Sequence, residues 1–386
     1  MTEQIVILAD ESADWQVAGL RQLDRLVFAL DRFLQRAGPD TSATVVVFWK
    51  PHASSGREWS PQNLPLKNVA FAPRPLAPVN LVLSTHLFFF RNGIEAFRER
   101  QALSPLPNVD LIQSKFEELD RLVRSVGSAP DQWEYLDRKE DIPALEIAFL
   151  SGAGKSQDGF VAKCLNRPVS RRITRLLLHF PITPNQWTLA TTLLALPACF
   201  ALADGSHFGI VVGTLLYQLI SILDGCDGEI ARAKYLESER GRRFDAFCDL
   251  VINLLFVLSL GIGLFRREET MMRWIYLSEA TLSVSMVAAR LARYARDLLG
   301  EATTELSPQH ENVIRASGTN LLGSRVTAGL FQITKRDVAF LAFAILAIAG
   351  CAPWILHCFF VFALGSLILS WKGRVRAGDK IDIALE

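Results

Sequence analysis

The sequence predicts two parts of different character. The first is an α/β domain with a mostly parallel sheet; the second is an α-helical integral membrane protein domain of six transmembrane helices. Three observations carry this. The chain of 386 residues is 50% hydrophobic and only 21% charged, and its mean hydropathy of +0.22 is high for a soluble protein. Short β-rich runs alternate with helical periodicities in the first half. The long apolar runs fall in the second half.

The opening stretch, MTEQIVILADESADW, has no basic n-region and no apolar run long enough for a signal sequence. It reads as a buried strand over Ile5 to Ala9, with the N-terminus in the cytosol. Leu20 to Ala37 repeats apolar residues at helical spacing (Leu23, Leu26, Val27, Leu30, Phe33, Leu34) and stops at Gly38. Thr44 to Trp49 and Asn80 to Ser84 are further strands; Ile94 to Arg100 and Phe116 to Val126 are helices. Alternation of this kind builds a doubly wound, mostly parallel sheet. Pro51 to Pro78, rich in Pro, Ser and Asn, reads as a long loop. A linker follows from Pro143 to Asp158. The expected domains are 1–150 (α/β), 151–186 (linker and interfacial helix) and 187–386 (six-helix membrane domain).

Phe160 to Phe180 is basic and amphipathic, with Arg171, Arg172 and Arg175 beside Ile173, Leu176 and Leu177. Such a helix lies at a membrane interface with its arginines among anionic headgroups. The six spans are Trp187 to Ala203, Phe208 to Leu223, Ala246 to Phe265, Trp274 to Tyr294, Val338 to Gly350 and Pro353 to Trp371. Arginine-rich segments fall on one side of them, while the opposite loops at 204–207 and 351–352 carry no Lys or Arg, and the third opposite loop has Arg266, Arg267 and Arg273, partly offset by Glu268 and Glu269. This places both termini in the cytoplasm. Lys plus Arg (41) balances Asp plus Glu (40), so charge gives no reason to expect a nucleic-acid partner. The six cysteines show no CxxC spacing and read as packing residues of the membrane core. His86, His179, His207, His310 and His357 show no ligand spacing and read as structural or solvated.

The most informative stretch is Asp224 to Asp249, DGCDGEIARAKYLESERGRRFDAFCD. Asp224 and Asp227 are three apart, and Asp245 and Asp249 four apart, so each pair shares one helix face. If the two helices pack antiparallel, four carboxylates converge. Such a cluster does not stay ionised in a low-dielectric setting without cations. Oxygen-only ligands select Mg²⁺ or Mn²⁺, and two ions are compatible with the count. Gly228 and Ala231 clear one side of the helix for a ligand, Arg232 offers a planar fork to a phosphate, and Gly241 gives clearance opposite. The combination describes a site for a pyrophosphate-linked nucleotide.

The run Asp224-x2-Asp227-Gly228-x2-Ala231-Arg232-x8-Gly241-x3-Asp245-x3-Asp249 resembles, without a departure, the signature of the CDP-alcohol phosphotransferase family. The likeness covers residues 158–371, and Pro181-Ile-Thr-Pro-Asn-Gln186 also looks like the family. The resemblance implies transfer of a phosphoalcohol unit from a CDP-linked donor, CDP-diacylglycerol or a CDP-polyol, to an alcohol acceptor, releasing CMP in phospholipid biosynthesis. It implies that Asp224, Asp227, Asp245 and Asp249 hold two metal ions. Asp249 would serve as base, with Asp245 beside it as a catalytic carboxylate. It further implies that Gly228, Ala231, Arg232 and Gly241 line the CDP site, that the active site faces the cytoplasm among membrane lipids, and that the protein is a homodimer. Arg290, Arg293, Arg296, Arg315 and Arg325 read as positive-inside anchors, with an acceptor phosphate as the rival role. A divalent-cation transporter and a nucleotide-binding scaffold without turnover are the alternatives to an enzyme.

The first 130 residues resemble a nucleotidyltransferase-like domain. The likeness breaks at Asp10-Glu-Ser-Ala-Asp-Trp15, where an active member has a Gly-rich, basic phosphate loop. A degenerate, non-catalytic domain is expected there.

Overall fold

The computed structural model describes residues 2–38, 41–51, 66–74, 79–90, 93–101, 115–152, 159–299, 336–361 and 363–365. The chain divides into two compact units. One comprises Met1–Gly154, Arg175–Pro181 and Arg232–Tyr235; the other comprises Lys155–Thr174, Ile182–Ala231 and Leu236–Glu386. The first unit therefore gathers two short segments from later in the chain, which a division by sequence position misses. Buried Arg25 shows one reason: it donates to the carbonyls of Val17, Ala18 and Ala233 within that unit. A guanidinium taken out of water needs such acceptors.

The first unit is built on a parallel sheet. Its strands are β1 (Thr2–Ala9), β2 (Ser42–Trp49), β3 (Val69–Phe71) and β4 (Leu81–Ser84), in the order β3-β2-β1-β4. Central β1 pairs with β2 and β4 and buries Ile5, Val6, Ile7 and Leu8 on both faces. That is why it reads as a continuous apolar run rather than an alternation. Helix α1 (Gln22–Ala37) lays Leu23, Leu26, Val27, Leu30 and Leu34 into the same core. The long loop expected at Pro51 to Pro78 contains edge strand β3; its residues 52–65 and 75–78 lie outside the described set.

A small antiparallel pair, β5 (Leu87–Phe89) with β6 (Trp133–Tyr135), was not legible in the sequence. Runs of three residues are too short to show a period. Helices α2 (Gly93–Gln101) and α3 (Phe116–Ser125) match the periodicity. The expected linker instead begins as a helix, α4 (Ile142–Gly152). Pro143 is tolerated in its first turn, where its missing N–H has no partner to lose.

In the second unit, a π-helical turn at Ala162–Asn166 leads into α5 (Arg167–Leu177). Then come α6 (Pro184–Leu193), α7 (Ala195–Asp204), α8 (His207–Ala233), α9 (Glu239–Arg267), α10 (Met272–Leu299) and α11 (Arg336–Ile348). Pro197 removes a hydrogen bond to the preceding turn and separates α6 from α7. Among the described residues three segments are long and apolar enough to cross a membrane: Pro184–Asp204, His207–Ala233 and Glu239–Arg267. The other three expected spans do not meet that measure. Helix α10 dilutes its apolar residues with Ser278, Glu279, Thr281, Ser283 and Ser285. Helix α11 has 13 residues, and the last apolar helix covers Ala352–Gly365.

Large apolar side chains on the long helices point outward, Phe200 and Phe208 each 78% exposed, as expected of a lipid-facing surface. Tyr217, Phe256, Phe340 and Phe343 fill the interior, the first two rings meeting edge-on at 4.8 Å. Of the six cysteines, all free, Cys226 and Cys248 are buried as expected, but Cys164 is exposed. It lies in the π-helical turn rather than in a span.

Candidate functional site

Helices α8 and α9 carry the acidic signature. Asp224 and Asp227 lie near the end of α8. The turn that follows closes at Tyr235, whose φ of 56° is left-handed and ends the helix. Helix α9 restarts at Ser238, whose side chain accepts the Gly241 N–H at 3.0 Å. Asp245 and Asp249 follow on the next turns.

The structure brings Asp224, Asp227 and Asp245 together, with one carboxylate oxygen of each lying within 4.8 Å of the others. Three hard oxygen donors at that spacing fit a divalent cation such as Mg²⁺ or Mn²⁺. Asp249 is outside this trio. Its carboxylate pairs with Arg336, which also lies 3.8 Å from Asp224. Sequence reading missed Arg336 because it sits 87 positions after Asp249, beyond any helical spacing.

Three further contacts shape the trio. Thr188 of α6 donates its hydroxyl to Asp227 at 2.6 Å, and Asp227 also takes the Gly228 N–H at 2.5 Å. Trp187 donates to the Leu223 carbonyl at 2.9 Å, one residue before Asp224. The Thr183–Gln186 capping box, with Pro184 in the first turn, sets where α6 begins and so where Thr188 lies. This is the physical content of the Pro181 to Gln186 run. Gly241 also has a spatial reason: a Cβ there would meet Asn185 Oδ1 at 3.3 Å and Ser238 Oγ at 3.0 Å.

Beside the trio is a cavity of about 300 Å³, lined by Asn166, Arg167, Ser170, Asp224, Asp249 and Arg336 among others. Helix α5 reaches it with an unexpected face. The helix is amphipathic as predicted, but the residues it buries are Arg167, Ser170 and Thr174, while Leu176 is 68% exposed. The polar stripe faces inward because Glu229 of α8 waits there as an acceptor. Of the other arginines singled out, Arg315 and Arg325 lie outside the described residues, as do the side chains of Arg293 and Arg296.

In the first unit the segment Asp10 to Trp15 forms a 3-10 turn rather than a phosphate loop. Asp10 accepts from the Ser12 N–H at 2.8 Å and hydroxyl at 2.6 Å, and pairs with His86 at 3.0 Å. Asp14 pairs with Arg21. The acids are therefore partly compensated internally. Burial pushes Asp10 up, but the His86 and Ser12 hydrogen bonds outweigh it and hold the carboxyl well below its usual range. Burial pushes His86 down, yet its bond to Asp10 and that carboxylate's charge leave it raised. His86 stacks on Tyr135 at 5.2 Å and meets Trp15 edge-on. His357 pairs with Glu279.

Comparison with known proteins supplies the family context. Residues 181–371 match the CDP-alcohol phosphatidyltransferase family. Three similar curated proteins are each named "Bifunctional IPC transferase and DIPP synthase". The one from Archaeoglobus fulgidus is 41% identical over 131 residues, covering 34% of this chain and 26% of that protein. The one from Rubrobacter xylanophilus is 39% identical over 158 residues, 41% of this chain and 35% of that protein. The one from Aquifex aeolicus is 32% identical over 163 residues, 42% and 36% respectively. The matched region thus spans about a quarter to a third of each relative's length.

Proposed function

Since residues 181–371 belong to the CDP-alcohol phosphatidyltransferase family, we propose that this chain transfers a phosphoalcohol unit from a CDP-linked donor to an acceptor hydroxyl, releasing CMP. The observation that carries the reading is the convergence of Asp224, Asp227 and Asp245 from two helices beside a polar cavity. Asp224, Asp227, Asp245 and Asp249 would hold a pair of divalent cations. When bound, Mg²⁺ or Mn²⁺ supplies charge neutralisation at the donor diphosphate and at departing CMP.

The chain's own residues do the rest. Thr188 keeps the Asp227 carboxylate oriented toward the trio. Arg232 presents a bidentate fork to a donor phosphate, with Gly228, Ala231 and Gly241 lining the CDP site. Asp249 takes the proton from the acceptor hydroxyl as its oxygen bonds to phosphorus and the phosphorus–oxygen bond to CMP breaks. Asp245 shares the negative charge beside it.

The first unit adds no second activity in this reading. Its Asp10 to Trp15 turn offers no basic phosphate loop, so it is a degenerate nucleotidyltransferase-like domain. The enzyme is multi-pass with six spans, works as a homodimer among membrane lipids, and keeps its active site and both termini on the cytoplasmic side.

The test is CMP release by the detergent-solubilised full chain. CDP-diacylglycerol and soluble CDP-polyols are supplied in turn against a panel of alcohol and polyol-phosphate acceptors. Activity should need Mg²⁺ or Mn²⁺ and vanish in Asp224→Asn and Asp245→Asn, with folding preserved by circular dichroism. Full turnover in EDTA, or in either variant, would sink the reading.

A further inference from the structure

Two arginines line the cavity next to the carboxylate trio, and the protein treats them differently. Arg336 lies against Asp249 and Asp224. Its Nε and second terminal nitrogen are buried with no hydrogen-bond partner among the described residues. Arg167 is instead met from behind by Glu229, whose carboxylate accepts its Nη1 at 3.0 Å.

Glu229 is 1% exposed and lies two residues past Asp227 on α8. Its remaining acceptor capacity is also used on α5: Ser170 donates at 2.9 Å and Thr174 at 2.7 Å. Arg167, Ser170 and Thr174 recur at helical spacing, so one face of α5 is dedicated to a single buried carboxylate. The same Nη1 reaches the Gly225 carbonyl at 3.3 Å. It can lie this close to α8 because residue 225 has no side chain; a Cβ there would stand 3.0 Å from Nη1.

A buried ion pair of this kind gains little stability against an apolar pair, because both charges must leave water. The better account is electrostatic. A bare guanidinium on the wall of a cavity that also holds Asp224 and Asp249 is a competitor for the cations those carboxylates bind, as Arg336 shows by settling on them. We propose that Glu229 is a positioning residue for the metal centre: it neutralises and anchors Arg167, so that the guanidinium does not compete with divalent cations for Asp224 and Asp249. This rests on the metal-dependent reading above. It adds a residue outside the acidic signature whose charge tunes that site.

The experiment measures Mn²⁺ binding to the solubilised full chain, with free Mn²⁺ followed by electron paramagnetic resonance. Glu229→Gln keeps the shape but takes the Glu229 charge away from Arg167, and should weaken Mn²⁺ binding about tenfold. Adding Arg167→Gln to that variant should restore affinity to within about threefold of the parent, since the competing charge is gone. Arg167→Gln alone should bind Mn²⁺ at least as tightly as the parent.

A merely structural role predicts a loss in either single variant, each of which breaks a buried ion pair, with recovery in the double variant. A tenfold loss in Arg167→Gln alone, no recovery in the double variant, or unchanged affinity in Glu229→Gln would overturn the proposal. A parent chain that binds no Mn²⁺ would overturn the metal reading itself, and this proposal with it. The parent measurement therefore separates the two failures.

Discussion

Thr188 shows how a single hydroxyl governs the acidic site. It is 3% exposed and donates a hydrogen bond to Asp227, itself 7% exposed. Replacement by Val keeps the volume and removes the donor, so a buried carboxylate loses a partner it needs. Thr188→Val should lower CMP release about tenfold at limiting Mg²⁺, with much of the loss recovered at saturating Mn²⁺. A loss unaffected by metal concentration would place Thr188's role elsewhere.

At the same scale, the Asp10–His86 pair makes the α/β unit pH-sensitive. The depressed Asp10 contributes stability that is present above its ordinary value of 3.8 and is lost as pH falls through its lower folded value. The raised His86 contributes stability that is full below its ordinary value of 6.5 and is lost as pH rises through its higher folded value. Protection of β1 and β4 amides from hydrogen exchange should therefore be greatest between those ordinary values and decline on the alkaline side. His86→Gln should flatten that alkaline decline. A parent and variant with the same profile would remove the pair as its cause.

Among the elements, α7 and α9 approach more closely than side chains allow. Gly205 ends α7 in the left-handed region at φ 78°, and a Cβ on Gly263 would lie 2.0 Å from the Leu202 carbonyl oxygen. Backbone cannot yield as a flexible side chain does. Gly263→Ala should cost about 1–3 kcal/mol by overpacking, read as a lower unfolding temperature in detergent. Gly350→Ala meets no neighbour within 4 Å, so its cost comes instead from the left-handed φ of 77°.

The parallel sheet offers a second lesson at this scale. Its order puts the topological switch between β1 and β4, where a doubly wound fold usually binds its ligand. Here the carboxyl ends of those strands are joined by the protein's own groups: Ser12 and Thr85 hydroxyls at 2.6 Å, and His86 on Asp10. This supports the reading of the α/β unit as degenerate.

For the whole molecule, the distribution of charge and apolar surface bears on how the chain meets the bilayer. The proposed orientation is testable by cysteine labelling in intact cells with the native cysteines replaced. Ser206→Cys, between α7 and α8, should react with an impermeant maleimide from outside. Glu237→Cys, between α8 and α9, should react only after the membrane is opened. The opposite pattern would invert the topology and remove the active site from the cytoplasm.

Local patterns along the chain specify the α/β domain, its main strands and helices, three of the six expected apolar spans and the identity of the acidic signature. Each is written in local spacing: period two or near four, apolar length, and carboxylates three or four residues apart. Packing of distant elements sets the convergence of Asp224, Asp227 and Asp245, the turn of Asp249 to Arg336, and the placing of Thr188 and Glu229 in the same region. It also decided that α5 buries its polar stripe and that Arg25 draws residues 232–235 into the first unit. These are matters of partner choice between residues from 8 to 208 positions apart. A buried charge takes whatever acceptor the packing of elements brings within about 3 Å, and local periodicity carries no information about that distance.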